Sequence, residues 1–326
     1  MSAVAARPAT FVLRLAAGLL LLPVCLSPQA AVLEAPPPLV DTAWLAGQLG
    51  HPALVVLDIR SPIGGADIRS YLAAHVPSAV YSDFMSDQWH DQDSGVPATL
   101  PDVAQLELLL GKLGVDNDST VVLVHSGSDS SDFATAARVF WIFRLLGHDR
   151  VAILDGGMRA WTRAGLPLER GWNEPQATTY RAATFRDDLL ATGAQVAVAL
   201  GRGVVLIDTR VREQYEGRTK AGLVLRAGTL PGAINIEHSA LIDPGTGLFI
   251  SADRLAALLR ERGIAPVDEE IVSFCNFGHL SAAVWFALHE VGGFRKVKLY
   301  DGSMADWAAA PERPVIVPHG AVTGSR

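Results

Sequence analysis

The chain has 326 residues, 49% of them hydrophobic and 19% charged, with a formal net charge of −7. That composition supplies a sizeable core and excludes a disordered chain, and the length suggests about two domains. The negative balance, with no basic run or interleaved aromatic stripe, argues against general affinity for nucleic acid, although a local cationic pocket could still hold a small anion.

At the N-terminus, Arg7 and Arg14 precede the apolar run LAAGLLLLPVCL, which ends near SPQAA before APPPLV. This is the layout of a secretory signal peptide, expected over residues 1–30. The run has roughly 12 residues against the ~20 needed to span a bilayer, and Pro23 interrupts it. The expectation is an exported protein, in a bacterium a periplasmic one, with no stable membrane span after cleavage. A lipid anchor would use Cys25, but Pro23 and Val24 stand where such a signal wants small residues. Cleavage would leave Cys275, the second of two cysteines, alone in the mature chain. An intramolecular disulfide would then be impossible, and a lone thiol in an oxidising compartment calls for a reason. No second cysteine or closely spaced histidine pair accompanies it, so no metal site is expected.

The chain repeats itself. LVVLDIR (54–60) recurs as VVLIDTR (204–210), and HVPSAVYSDF (75–84) recurs in outline as TLPGAINIEH (229–238). LELLLGKLGVDNDSTVVLVHSG maps onto LAALLRERGIAPVDEEIVSFCNFG, and GHDRVAILDGGMRAW (147–161) onto GFRKVKLYDGSMADW (293–307). Four matches in one order mark a tandem duplication of a unit of about 130 residues, the size of a domain.

Taken in chain order, the first unit carries the short apolar runs LVVLDI, TVVLVH and VAILD, and the second VVLID, EIVSF and VKLYD. Continuous β-branched runs of this length suit parallel strands buried on both faces. Between them, VAQLELLLGKLG and ADRLAALLRERG have apolar residues at helical spacing and close on glycine. The expected fold class is α/β, in two tandem domains over residues 36–166 and 188–318, each a mostly parallel sheet with helices on both faces. LPLERGWNEPQATTYRAATFR shows neither period, so residues 167–187 read as the linker.

Overlaying the copies puts His125 at the position of Cys275, so only the second domain carries the thiol. A strand, then Cys275-Asn276-Phe277-Gly278-His279-Leu280, then a helical stretch places the cysteine where α/β proteins bind ligands. Gly278 lets the loop turn so that successive backbone N–H groups converge, a cradle for a thiolate and an incoming anion. The plain alternative is a small buried side chain that only packs. In the first domain Asp129 and Asp132 would repel an anionic ligand, and they read as ordinary helix-start residues. Trp285 and Trp307 read as core before pocket lining.

Two domains with a Cys-x-x-Gly loop in the second alone resemble the rhodaneses, the thiosulfate and 3-mercaptopyruvate sulfurtransferases. The resemblance rests on DTRVREQYEG (208–217), GTLPGAIN (228–235), the loop at Cys275 and LYDGSMADW (299–307), and it runs from about Leu39 to Val317. It implies two rhodanese-like domains, sulfur transfer through a Cys275 persulfide, and no cofactor. It also implies Arg210 on the anionic end of the donor, loop N–H groups of Asn276, Phe277, Gly278, His279 and Leu280 around the persulfide, and Asp208 in support. The implied partners are a small anionic sulfur donor and a thiophilic acceptor such as cyanide or a thiol. The loop departs from both subfamily patterns, having neither basic side chains nor Gly-Ser-Gly-Val after the cysteine, and Met304 replaces a common tryptophan. Thiosulfate is the expected donor, with 3-mercaptopyruvate or a non-catalytic persulfide carrier as alternatives. His279 reads either as a source of positive charge or a proton, or as a structural hydrogen-bonding group. A cysteine phosphatase is disfavoured, because Ser281 stands where its phosphate-clamping arginine belongs.

Overall fold

A computed structural model describes residues 33–91, 99–264 and 269–318, together with residues 2 and 3. The signal-peptide reading and Cys25 therefore lie outside the described residues, apart from residues 2 and 3. Among the described residues, no helix is long and apolar enough to cross a membrane.

In the first half the strands are β1 (Leu39–Val40), β2 (Leu54–Asp58), β3 (Val80–Tyr81), β4 (Thr120–Val124) and β5 (Val151–Leu154). The helices are α1 (Thr42–Gln48), α2 (Ile68–Ala73), α3 (Val103–Lys112), α4 (Ser130–Leu145) and α5 (Gly157–Arg163). The second half repeats the plan with β6 (Leu190–Ala191), β7 (Val205–Asp208), β8 (Ile234–Asn235), β9 (Ile271–Phe274) and β10 (Val297–Tyr300). Its helices are α6 (Gly193–Ala199), α7 (Arg212–Tyr215), α8 (Ala252–Glu261), α9 (Leu280–Phe286) and α10 (Ser303–Ala309), with a π-helical turn, Ala287–Val291, prolonging α9. The sheets run β1-β5-β4-β2-β3 and β6-β10-β9-β7-β8. Every pairing within them is parallel.

The apolar runs explain this layout. Every residue of β4, TVVLV, is buried, as a strand covered on both faces must be. The two-residue edge strands β1, β3, β6 and β8 are too short to show a period in the sequence. Helix starts follow local chemistry: Asp41, Asp129, Thr192 and Ser251 each accept a hydrogen bond from the first turn of the helix they precede.

One apolar cluster holds α3 and α4 of the first half and α8 and α9 of the second, so the inner faces of the two sheets share a core. Separate clusters cover the outer faces, with Leu45, Tyr71 and Trp161 on one and Val196, Met304 and Trp307 on the other. Trp285 and Trp307 are both fully buried, their indole N–H groups donating to the carbonyls of Val297 and Pro314. Helices α4 and α9 meet at the centre, where Phe286 packs edge-on against Phe133, Phe140 and Phe249. The segment read as a linker lies along the first half: Tyr180 is buried, and Thr178 and Ala183 donate N–H bonds to the carbonyls of Gly111 and Leu146.

The halves are related by a near two-fold exchange of contacts. Phe249 N–H donates to Asp155 Oδ1 at 2.8 Å, and Leu100 N–H donates to Asp301 Oδ2 at 2.7 Å, each reaching the aspartate after the last strand of the other half. Because the core is continuous, Phe286→Ala should cost about 3–5 kcal/mol. Urea unfolding should remain one transition with an unchanged slope; two transitions would mean that the halves hold together independently.

Candidate active site

Cys275 follows the last residue of β9, the middle strand of the second sheet, and so stands at the carboxyl edge where parallel sheets place ligands. It is a free thiol, 1% exposed. Gly278 has a φ of +76°, and a Cβ there would stand 2.6 Å from the Asp301 carbonyl oxygen and 2.9 Å from its Oδ1. Glycine is needed both for conformation and for space.

The loop is pinned from below by Ser303. This residue adopts a left-handed conformation, φ 48°, and is fully buried. Its Oγ accepts the N–H groups of Cys275 at 3.0 Å and Gly278 at 3.1 Å, and its hydroxyl donates to the Tyr300 carbonyl at 2.7 Å. The N–H groups of Met304 and Ala305 then hold the carbonyls of Cys275 and Asn276 at 3.1 and 3.0 Å. Of the N–H groups from Asn276 to Leu280 expected to form the cradle, that of Gly278 turns to Ser303. The N–H groups of Asn276, Phe277, His279 and Leu280 have no acceptor among the described residues. His279 and Leu280 lie where α9 begins.

The first domain shows what such a loop does when occupied. Asp132 accepts the N–H groups of Ser126 at 3.2 Å, Gly127 at 2.7 Å and Ser128 at 3.2 Å, and its Oδ2 lies 2.8 Å from His125 Nδ1. Burial alone would raise its pKa, but His125 and the backbone N–H groups outweigh that and hold the carboxyl below the ordinary aspartate value. Asp129 caps α4 as expected, whereas Asp132 is more than a helix-start residue: its carboxylate fills the loop's anion cradle. At the same distance from Cys275 as Asp132 is from His125, the second domain has Ala282, and residues 276–289 contain no carboxylate.

Arg210 and Asp208 are fully buried, bonded Nε to Oδ1 at 2.9 Å and Nη2 to Oδ2 at 2.6 Å. Arg210 Nη2 also donates to the Gly228 carbonyl at 2.7 Å, and Thr229 Oγ1 donates to Asp208 Oδ2 at 2.7 Å. Arg60 and Asp58 repeat this pair in the domain without a thiol, with Arg60 Nη2 2.7 Å from Asp58 Oδ2 and 2.9 Å from the Ala74 carbonyl. The fork thus ties the end of a strand to the following segment in both halves. Only Nη1 of Arg210 is left buried without a partner.

His279 is mostly buried, its ring against Phe84 and its Nε2 3.1 Å from Thr135 Oγ1 of the first domain. Burial, and then the neighbouring His90, Arg138 and His238, push its pKa down to about 3. It is therefore neutral between about pH 5 and 8 and brings no charge to an anion. Asn276 Nδ2 donates to Gln214 Oε1 at 2.9 Å, which makes Gln214 a neighbour of the loop that sequence reading missed. Thr209, whose N–H donates to the Phe274 carbonyl, has a buried Oγ1 without a partner. Asn276 Oδ1 and His238 Nδ1 are likewise unpaired, and His238 N–H donates to the Thr209 carbonyl. Unpaired buried polar atoms are uncommon, and here several lie on segments that meet at the ends of β7 and β9. Ser303 was also missed, although a serine in one repeat where the other has Gly157 was a readable sign.

Residues 41–164 and 192–310 match the model of the rhodanese-like domain. The chain belongs to the rhodanese family. A thiosulfate sulfurtransferase of Pseudomonas aeruginosa is 32% identical over 282 residues, spanning 86% of this chain and 97% of its own length. A sulfur carrier protein of Thermus thermophilus is 33% identical over 288 residues, spanning 83% and 94%. A solved Escherichia coli 3-mercaptopyruvate sulfurtransferase superposes with a TM-score of 0.71 at 28% identity, over 82% of this chain and 99% of that one. Two rhodanese-like domains of one topology thus differ at the strand end, where one has a thiol and an open loop, and the other an internal carboxylate.

The buried forks give a direct test. Arg60→Met and Arg210→Met should each leave a buried carboxylate unpaired and cost about 3–5 kcal/mol in urea unfolding. A much smaller loss for Arg210→Met than for Arg60→Met would contradict the structural pairing described for the second domain.

Proposed function

We propose that this protein is a thiosulfate sulfurtransferase that works through a Cys275 persulfide. The observation that carries the proposal is the contrast between loops: the first domain fills its cradle with Asp132, while in the second the N–H groups of Asn276 and Phe277 stand open beside a buried thiol. An open cradle of this kind suits one small anionic group held against the sulfur.

The Cys275 thiolate attacks the outer sulfur of thiosulfate. The sulfur–sulfur bond of the donor breaks, its electron pair leaves with sulfite, and the outer sulfur stays on Cys275 as a persulfide. A thiophile then attacks that outer sulfur; with cyanide the product is thiocyanate, and the thiolate is regenerated. No net oxidant or reductant is needed. Asn276 and Phe277 hold the anionic end of the donor through the backbone, Arg210 adds its unpaired Nη1, and Asp208 keeps Arg210 in place. Gly278 supplies the turn, and Leu280 starts the helix behind it. His279 acts as a neutral hydrogen-bonding group. The names of the relatives support sulfur transfer but divide over the donor, so 3-mercaptopyruvate is the second candidate. We propose further that the protein is exported to a bacterial periplasm, on the N-terminal pattern of two arginines and a short apolar run.

The experiment is intact mass spectrometry of enzyme from the periplasmic fraction, exposed in turn to thiosulfate and 3-mercaptopyruvate. The expected species lacks the N-terminal leader and gains one sulfur atom from thiosulfate, loses it to cyanide, and gains none when Cys275→Ser is substituted. Sulfur gain only from 3-mercaptopyruvate would reverse the donor assignment, and full turnover by Cys275→Ser would end the persulfide mechanism.

A further inference from the structure

In a duplicated molecule, a polar contact present in one half and missing from the other marks what the second half needs. Asp155 and Asp301 are counterparts, and each accepts a backbone N–H from the opposite domain. Only Asp301 has an arginine: Arg138, fully buried on α4 of the first domain, places Nη2 2.5 Å from Asp301 Oδ1. Its guanidinium carbon stands 4.5 Å over the ring of Trp141, which limits where the group can go. Neither α9 nor the π-helical turn that prolongs it, Leu280–Val291 together, carries an arginine or lysine, so the second domain has no counterpart of Arg138. Asp155 thus has no equivalent cation, and burial pushes its pKa up.

Asp301 also lies directly behind the thiol loop. A Cβ on Gly278 would stand within 2.9 Å of its Oδ1, and Ser303, which accepts the Cys275 and Gly278 N–H groups, follows two residues later. We infer that Arg138 is a positioning residue for the Cys275 loop, acting across the domain boundary by fixing Asp301 against Gly278. Thr135, one helical turn before Arg138, touches His279 at the other end of the same loop. The first domain, which has no thiol of its own, thereby braces the loop at both ends. The inference rests on the sulfur-transfer reading for its effect on rate, but not for its effect on the loop.

The test compares the full-length protein with Arg138→Met, Arg138→Lys and Asp301→Asn. Amide hydrogen exchange of the peptide spanning residues 275–280 and steady-state transfer from thiosulfate to cyanide are both measured. Arg138→Met should speed loop exchange and lower kcat by about ten-fold each, while the donor KM stays within about two-fold, because a misplaced loop loses alignment more than binding. Arg138→Lys should recover part of both, since it keeps the charge but not the planar fork. If Arg138→Met does not fold, Asp301→Asn, which retains an acceptor for Leu100, is expected to show the same pair of effects. Wild-type exchange and kcat in a folded Arg138→Met or Asp301→Asn protein would overturn the inference. A wild-type protein that forms no persulfide, with variants that still loosen the loop, would refute the sulfur-transfer reading and leave the brace standing.

Discussion

A short turn from a buried parallel strand into a helix aims several backbone N–H groups at one small volume, and each of them requires an acceptor. Most of what distinguishes the two halves of this protein follows from how that requirement is met. In the first domain the Asp132 carboxylate takes three of these bonds and a fourth contact from His125. In the second, Ser303 takes two, and those of Asn276 and Phe277 have no acceptor among the described residues. The same backbone geometry thus produces a self-satisfied loop in one copy and a receptive one in the other.

Keeping a receptive loop in shape without an internal ligand puts the burden on its surroundings. Ser303 accepts a left-handed conformation to deliver its hydroxyl, Gly278 gives up its side chain to let Asp301 approach, and the Asp208–Arg210 fork fixes the neighbouring strand end. The first domain contributes from across the shared core, where α4 lies against α9 and carries Thr135 and Arg138 to the back of the loop. A domain that lost or never had its own thiol is in this way still part of the site.

Much of this was readable from the residues. The strands at 54–58, 120–124, 205–208 and 271–274 are continuous apolar runs, and the repeat aligned them pair by pair. Cys275 and Gly278 stood out because the other cysteine, Cys25, falls in the segment read as a signal peptide and because the glycine follows a strand end. The cross-domain contacts were not legible: Arg138 to Asp301 spans 163 positions, and nothing in either segment names the other. Asp132 looked like a helix-start residue because a carboxylate near a helix start has two uses that share one sequence signature. Arg210 looked free to hold a donor, yet its fork is taken by Asp208, a residue only two positions away whose partnership is set by how the strand ends. The segment after Leu166 lacked periodicity, and it packs along the first domain through backbone bonds that carry no side-chain pattern.

The central claim is that the loop beside Cys275 is open because the second domain lacks the carboxylate that closes its twin. Replacing Ala282, which stands as far beyond Cys275 as Asp132 stands beyond His125, with aspartate tests it most directly, with sulfur uptake from thiosulfate read by intact mass and folding read by thermal melting. The account predicts a folded protein whose cradle is occupied by its own side chain and whose Cys275 no longer takes up sulfur. A folded Ala282→Asp protein that forms the persulfide at the wild-type rate would contradict it.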